Sequence, residues 1–334
     1  MIWVLAFVVY VASGKRSPAG YFYNSARPLI IAHRGASGYI PEHTLQAYDV
    51  AQYMGADFIE PDLVPTKDHQ LLINHEGLLN ETTNVADLPQ FAYLHTTKTI
   101  STYAGNVTET GWFSDDFYLY QIKELRAKQR LAFRPSTFNY LLKKITINEA
   151  LDWVIGINQQ RILSNQSLLG AYIELKNPGY YNSLGFHMED MLLQVLRDRK
   201  IDSIKAASGL CPVILQCFEI QSLQYMAKYT DLPLVYLVNG AYLSLNISQY
   251  ADIVNGVGPN MEMVLNANGS ATGFVAAAHS ANLALHPWVI RDDVPLYGWG
   301  RQETYENVLN AGLDGIFDEF PDSANIYFTL KEED

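Results

Sequence analysis

The stretch that decides the fold runs from Leu29 to Asp62. It reads Leu29-Ile30-Ile31-Ala32-His33-Arg34-Gly35, then Pro41-Glu42-His43-Thr44 ahead of a helix-like segment, then an apolar run closing on Glu60-Pro61-Asp62. Each apolar run ends in side chains suited to chemistry rather than packing. Glu60 and Asp62 stand two residues apart, a spacing that turns both carboxylates to one face of a strand. A third run, Gln70 to Asn74, ends in His75, and a fourth, Gly170 to Ile173, ends in Glu174-Leu175-Lys176. Four successive strands delivering charged or imidazole groups at their C-terminal ends predict the active face of a parallel α/β barrel of the TIM type, (β/α)8.

The rest of the chain keeps the rhythm. Apolar strand candidates end near His33, Asp62, His75, Lys176, Phe218, Val238, Asn255, Trp288 and Asp318. Helical periodicity covers 44–54, 147–161, 186–199, 219–229, 272–281 and 302–311. Strands alternating with helices imply parallel βαβ units, although nine candidates are one too many for eight staves. Residues 76–146 break the pattern. They are polar, rich in tyrosine and punctuated by Gly105, Gly111 and Pro135, and are read as an insertion after the third strand that caps the active face. The expected organisation is a signal peptide, 1–14, followed by one catalytic domain, 15–334, carrying the insertion.

Composition narrows the function. The chain has 334 residues, 49% apolar and 17% charged, which are globular values that exclude a disordered chain. A formal net charge of −12 argues against a nucleic-acid partner, which would require a basic face. It leaves a phosphate substrate open, since a site needs only local positive charge. Nothing in the sequence identifies a protein partner.

The N-terminus reads as a secretory signal. Ile2 to Val11 is apolar, and Ala12-Ser13-Gly14 offers a small-x-small cleavage site. A bilayer span needs about twenty residues, so no stable membrane anchor is expected. Five sequons, at Asn80, Asn106, Asn165, Asn246 and Asn268, fit a glycoprotein secreted or held in the secretory-pathway lumen. Cys211 and Cys217 bracket a strand, Pro212 to Gln216. An extended strand holds them too far apart to bond, so two buried thiols are expected.

These motifs resemble the glycerophosphodiester phosphodiesterase family. His33-Arg34-Gly35 with the Pro41-Glu42-x-Thr44 turn matches its signature, and Glu60/Asp62 and Glu174/Lys176 recur with it. The likeness continues through His75-Glu76, Thr82-Thr83, Gly111-Trp112-Phe113, Asp116-Phe117, Leu125-Arg126-Ala127 and Arg130-Leu131. Gly256 to Pro259, His286-Pro287-Trp288 and Gly312 to Asp322 extend it to the C-terminus, and the whole looks like the larger periplasmic or secreted type. His43 stands where the family usually has Asn, and Asp318-Glu319 replaces a usual Thr-Asp. The resemblance implies hydrolysis of glycerophosphodiesters to glycerol 3-phosphate and an alcohol. The alternatives are a lysophospholipase D-like activity on lysolipids and an inactive secreted binding protein of the same fold.

The residue types suit that chemistry. Glu60, Asp62 and Glu174 would repel if left together unpaired. A divalent cation relieves the repulsion, and all-oxygen ligation favours calcium, with magnesium as the alternative. Outside that context the same residues read as a loop cap and a surface ion pair. His33 and His75 supply imidazoles that titrate near neutrality, as general acid–base catalysis requires, and the resemblance assigns both to catalysis. Which is acid and which is base stays open, as does attack by the neighbouring glycerol hydroxyl or by water. Arg34 and Lys176 are the phosphate clamps. Glu42, Gln216, Phe218, His286 and Trp288 are candidates for the pocket, with core packing as the competing role. His43, His69, His95, His187 and His279 read as hydrogen-bonded structural residues.

Overall fold

The computed structural model describes residues 20–23, 26–240 and 246–333; the expected signal peptide, 1–14, lies outside the described residues. Twelve strands are present among them. They are β1 (Leu29–His33), β2 (Phe58–Glu60), β3 (Asp62–Pro65), β4 (Leu71–Ile73), β5 (Thr96–Thr102), β6 (Gly105–Gly111), β7 (Gly170–Leu175), β8 (Val213–Cys217), β9 (Leu234–Val238), β10 (Gly256–Pro259), β11 (Ala284–Leu285) and β12 (Gly315–Asp318). Parallel pairing follows the order β11-β10-β9-β8-β7-β2-β1-β12. Two parallel bridges, Asn260 with Trp288 and Ile290 with Asp318, carry the β11 stave up against both neighbours and bring the barrel round to near closure.

β2 and β3 are one stave interrupted at Pro61, which has no N–H to give the ladder. Above the break Asp62 pairs in register with Glu174 of β7. Helices 45–53, 147–163, 188–198, 220–226, 273–280 and 301–310 pack outside, close to their expected spans, and a further helix, 321–333, was not expected. Thr44 caps the first by accepting from the Ala47 N–H, and Thr146 with Glu149 forms a capping box on the second.

Side-chain alternation fills the barrel. Phe22, Leu29, Ile31, Phe58, Tyr172, Ile214, Val235, Ala284 and Phe317 form one interior cluster. Two residues further along their strands stand His33, Glu60, Glu174, Gln216 and Glu319, all buried. The period of two therefore builds a polar layer directly on an apolar one.

The strand ending at His75 is the ninth candidate. β4 runs antiparallel to β3, pairing Leu63 with Ile73, and is no stave. The hairpin folds back so that the Asn74 N–H reaches the Asp62 carbonyl at 2.9 Å, which returns His75 to the carboxylate layer. The long insertion thus lies between the second and third staves. Within it β5 and β6 form a separate antiparallel ribbon that sequence reading did not expect. Its β-branched threonines pair across the strands, Thr97 with Thr110 at 2.8 Å and Thr99 with Thr108 at 2.9 Å. The strand expected to end near Asn255 instead begins at Gly256. Cys211 and Cys217 are free and buried.

Candidate active site

The His33-Arg34-Gly35 motif is a strained turn off β1. Arg34 takes a left-handed conformation, φ 61°, and Gly35 follows at φ 87°. A Cβ on Gly35 would stand 2.7 Å from the Ala47 backbone, so the helix can approach only a glycine here. The turn aims the Arg34 N–H at Glu60 Oε2, 3.0 Å away. The Arg34 guanidinium meets Glu42 Oε1 at 3.0 Å and lies 3.6 Å from Asp62 Oδ2. Glu42 also accepts from Arg130 at 3.1 Å. Burial alone would raise the Glu42 carboxyl, but Arg34 and Arg130 hold it well below the usual carboxylate range.

Glu60, Asp62 and Glu174 are buried, and one oxygen from each lies within 4.8 Å of the others. Glu60 Oε1 accepts from Gln216 at 2.9 Å, and Glu174 Oε1 pairs with Lys176 Nζ at 2.9 Å. Asp62 Oδ2 is 2.8 Å from His43 Nε2, while its buried Oδ1 has no partner. Burial and the neighbouring carboxylates push Glu60 far up, and burial raises Glu174 to about 8 despite Lys176. Burial also opposes ionisation of Asp62, but Lys176 and His43 outweigh it and hold its pKa far down. Three carboxyls facing one point, one with an orphaned oxygen, are a donor set that fits a hard divalent cation.

Two imidazoles flank this layer. His33 Nδ1 is 2.9 Å from Glu319 Oε1, and His75 Nδ1 is 3.0 Å from Glu76 Oε1. A carboxylate only accepts, so in each neutral ring the proton sits on Nδ1 and Nε2 keeps its lone pair. Burial and then Arg34 lower the His33 pKa to about 3, and the same two causes lower that of His75. Glu319 is gripped further by Arg291, 2.8 Å away, and by Arg134.

The pocket candidates separate. Phe218 lines a cavity of about 210 Å³ together with Glu174 and Lys176, and Trp288 meets its ring edge-on at 5.7 Å. Gln216 touches Glu60. His286 does not join them. It is fully buried, 3.0 Å from the Tyr172 hydroxyl and packed on Phe22, one layer below the site in the barrel core. His43, expected to be structural, is bonded to a site carboxylate. Arg134 and Arg291 gave no local signal; Arg130 was quoted only within the family likeness, and Glu319 only as part of the altered Asp318-Glu319 pair. Asn106, Asn165, Asn246 and Asn268 are exposed, whereas Asn80 is half-buried and its side-chain oxygen is enclosed. Among the described residues no helix is long and apolar enough to cross a membrane.

Comparison with known proteins agrees with this geometry. The sequence model of the glycerophosphoryl diester phosphodiesterase family matches residues 33–323. A glycerophosphodiester phosphodiesterase of Arabidopsis thaliana is 31% identical over 337 residues, covering 92% of this chain and 87% of its own. One from Haemophilus influenzae is 27% identical over 349 residues, covering 88% of each. The structure of an Oleispira antarctica phosphodiesterase in complex with the product sn-glycerol-3-phosphate matches with a TM-score of 0.61 at 18% identity, over 91% of this chain and 97% of that one. At that identity the last likeness shows a shared fold.

Proposed function

The chain belongs to the glycerophosphoryl diester phosphodiesterase family, and from that premise we propose a metal-dependent hydrolysis of glycerophosphodiesters driven by His33 and His75. The observation that carries the reading is the cluster of Glu60, Asp62 and Glu174, with ligand oxygens within 4.8 Å of one another beside two carboxylate-oriented imidazoles. These three residues would hold the cation, which when bound would polarise the phosphoryl oxygens. Arg34 and Lys176 bind the phosphate and offset charge as it grows in the transition state.

His33 is the base in this reading. Its ring is held neutral with Nε2 open, and ionised Glu319 stabilises the imidazolium that forms when it takes the proton of the attacking oxygen. A new P–O bond forms, the bond to the alcohol breaks, and the departing alkoxide takes the proton of the His75 imidazolium, the form that ionised Glu76 stabilises. That ring is the more exposed of the two, with a side-chain accessibility of 28% against 11% for His33, so it can recover a proton from solvent.

Calcium is the favoured ion because oxygen donors with loose geometry suit it and it is plentiful outside cells. That choice belongs with a protein that is secreted or held in the secretory lumen and glycosylated at its exposed sequons. Intact mass of the expressed protein, with and without glycosidase, tests both leader and glycans. The activity itself is tested by assaying purified protein on a panel of glycerophosphodiesters with and without chelator. Turnover to glycerol 3-phosphate that chelator stops supports the reading, and full turnover after exhaustive chelation removes it.

A further inference from the structure

The cavity beside the phosphate-binding groups has a wall that the hydrolytic chemistry does not use. The β5–β6 ribbon presents Ile100, Thr102, Val107 and Glu109 to it from one face, and the loop at its tip adds Tyr103. Across from them lie Lys176 at the end of β7 and Phe218 at the end of β8. Tyr103 is held in place twice. Its ring stacks on Phe218 at 4.2 Å and 10°, and its hydroxyl accepts from Asn239 Nδ2 at 3.1 Å. The ribbon tip is therefore tied across the barrel mouth to the end of β9, and the two rings form a fixed aromatic surface.

The charge of the cavity is unbalanced. Of its lining carboxylates Glu174 pairs with Lys176, Glu76 lies 3.0 Å from His75 Nδ1 and Glu219 accepts from the Gly179 N–H at 3.0 Å, which leaves Glu109. Glu109 stands directly opposite Lys98 in the ribbon register, where an ion pair would be ordinary. Lys98 instead points its ammonium at Asp115 and Asp116, with 2.9 Å to the latter. Glu109 is left facing the cavity with its carboxyl pushed up by partial burial and by Glu76 and Glu81. A neutral alcohol such as glycerol or inositol gains only hydrogen bonds from its hydroxyls to the carboxylate. A cation carrying methyl or methylene groups gains on both counts, through the Tyr103 ring, since Lys176 Nζ already stands 5.7 Å from the Phe218 centroid, and through the carboxylate.

Building on the phosphodiesterase reading, we infer that this cavity is the leaving-group subsite, that it takes an alcohol bearing an ammonium group, choline or ethanolamine, and that Glu109 and Tyr103 set the preference. The phosphate would be held at Arg34 and Lys176 while the head group reaches the ribbon wall.

The test compares kcat/KM of the metal-loaded full chain on glycerophosphocholine, glycerophosphoethanolamine, glycerophosphoglycerol and glycerophosphoinositol. Wild type should favour the two cationic diesters. Glu109→Gln, an isosteric change on an exposed ribbon, should lower the choline-to-glycerol ratio about tenfold, and Tyr103→Leu should lower it in the same direction. An unchanged ratio in both variants, or equal wild-type rates on cationic and neutral diesters, overturns the subsite while leaving the phosphodiesterase reading intact. No turnover of any diester overturns the phosphodiesterase reading instead. In that event saturation-transfer NMR from the protein to the choline methyl groups still decides the subsite. Saturable transfer lost in Glu109→Gln supports it, and transfer absent from wild type overturns it.

Discussion

His43 lies with Nε2 2.8 Å from Asp62 Oδ2 and Nδ1 3.0 Å from the Tyr48 hydroxyl. Asp62 is thereby fixed through one oxygen while Oδ1 stays unpartnered and available to a cation. Removing a group that orients a ligand carboxylate typically costs ten- to a hundredfold in metal affinity. His43→Ala should raise the half-activating metal concentration by about that factor, with a smaller change in rate at saturating metal. An unchanged metal titration would show that His43 only packs.

Stripping the metal should stop catalysis and spare the fold. The carboxylates sit in the polar layer at the end of the barrel, above an interior already filled by Phe58, Tyr172 and Phe317. Far-UV circular dichroism of chelated protein should match that of loaded protein, and calcium should restore activity better than magnesium. Recovery by magnesium alone would reverse the choice of ion.

His33 and His75 act in one turnover and should be strongly non-additive. Either His→Ala change should lower kcat at least about a hundredfold, with little effect on metal affinity. The double variant should lose far less than the product of the two losses. Strict multiplicativity, read from kcat of all four proteins, would mean that the residues serve separate steps.

What the sequence revealed and what it hid divide along one physical line. Alternation along a strand is local, so the shared face of Glu60 and Asp62, the polar layer and the helices between staves could be read directly. Contacts between distant segments leave no periodic trace. His33 is joined to Glu319 across 286 positions and Glu42 to Arg130 across 88. The direction of β4 was hidden for the same reason, since an apolar run of that length reads alike in parallel and antiparallel pairing. His286 illustrates the converse. It has the same spacing from Trp288 as Glu60 from Asp62, yet it starts one layer lower in the barrel and is spent on packing.

Lys144 carries a pH signature that can be isolated. Its side chain is fully buried, its ammonium has no hydrogen-bond partner among the described residues, and burial lowers its pKa from 10.5 to about 8 against the pull of Glu42 and Asp62. Between about pH 8 and 10.5 the unfolded chain binds the proton that the folded protein has shed. This group therefore makes stability rise with pH across that window, and below about 8 its full cost is present. The shift corresponds to about 3 kcal/mol. Lys144→Met should be more stable than wild type by up to about that amount at pH 7 in urea denaturation. The advantage should shrink towards pH 10.5, and a pH-independent difference would remove the assignment.

The insertion's aromatic residues Trp112, Phe113, Phe117 and Tyr118 do not line the cavity beside Lys176. Phe113 and Phe117 are buried in apolar clusters, the Trp112 indole donates to the Phe91 carbonyl at 2.7 Å, and Tyr118 is exposed and stacks on Tyr120. The wall comes from the β5–β6 ribbon, whose tip is tied by Tyr103 to Phe218 and Asn239. On the proposed subsite, a ribbon standing there would narrow the mouth against a long acyl chain while leaving room for a small head group and glycerol. Replacing residues 100–107 by an Asn-Gly turn between Thr99 and Thr108 keeps the Lys98 ion pairs at the base and removes most of the wall. The Asn-Gly pair suits a two-residue hairpin. Loss of Ile100 from its small cluster with Leu78 and Phe113 should cost about 2–4 kcal/mol, which the barrel core can absorb. Turnover of a lysophospholipid relative to glycerophosphocholine should then rise, measured as the ratio of kcat/KM values. A folded variant with an unchanged ratio would show that the ribbon supports the structure without selecting the substrate.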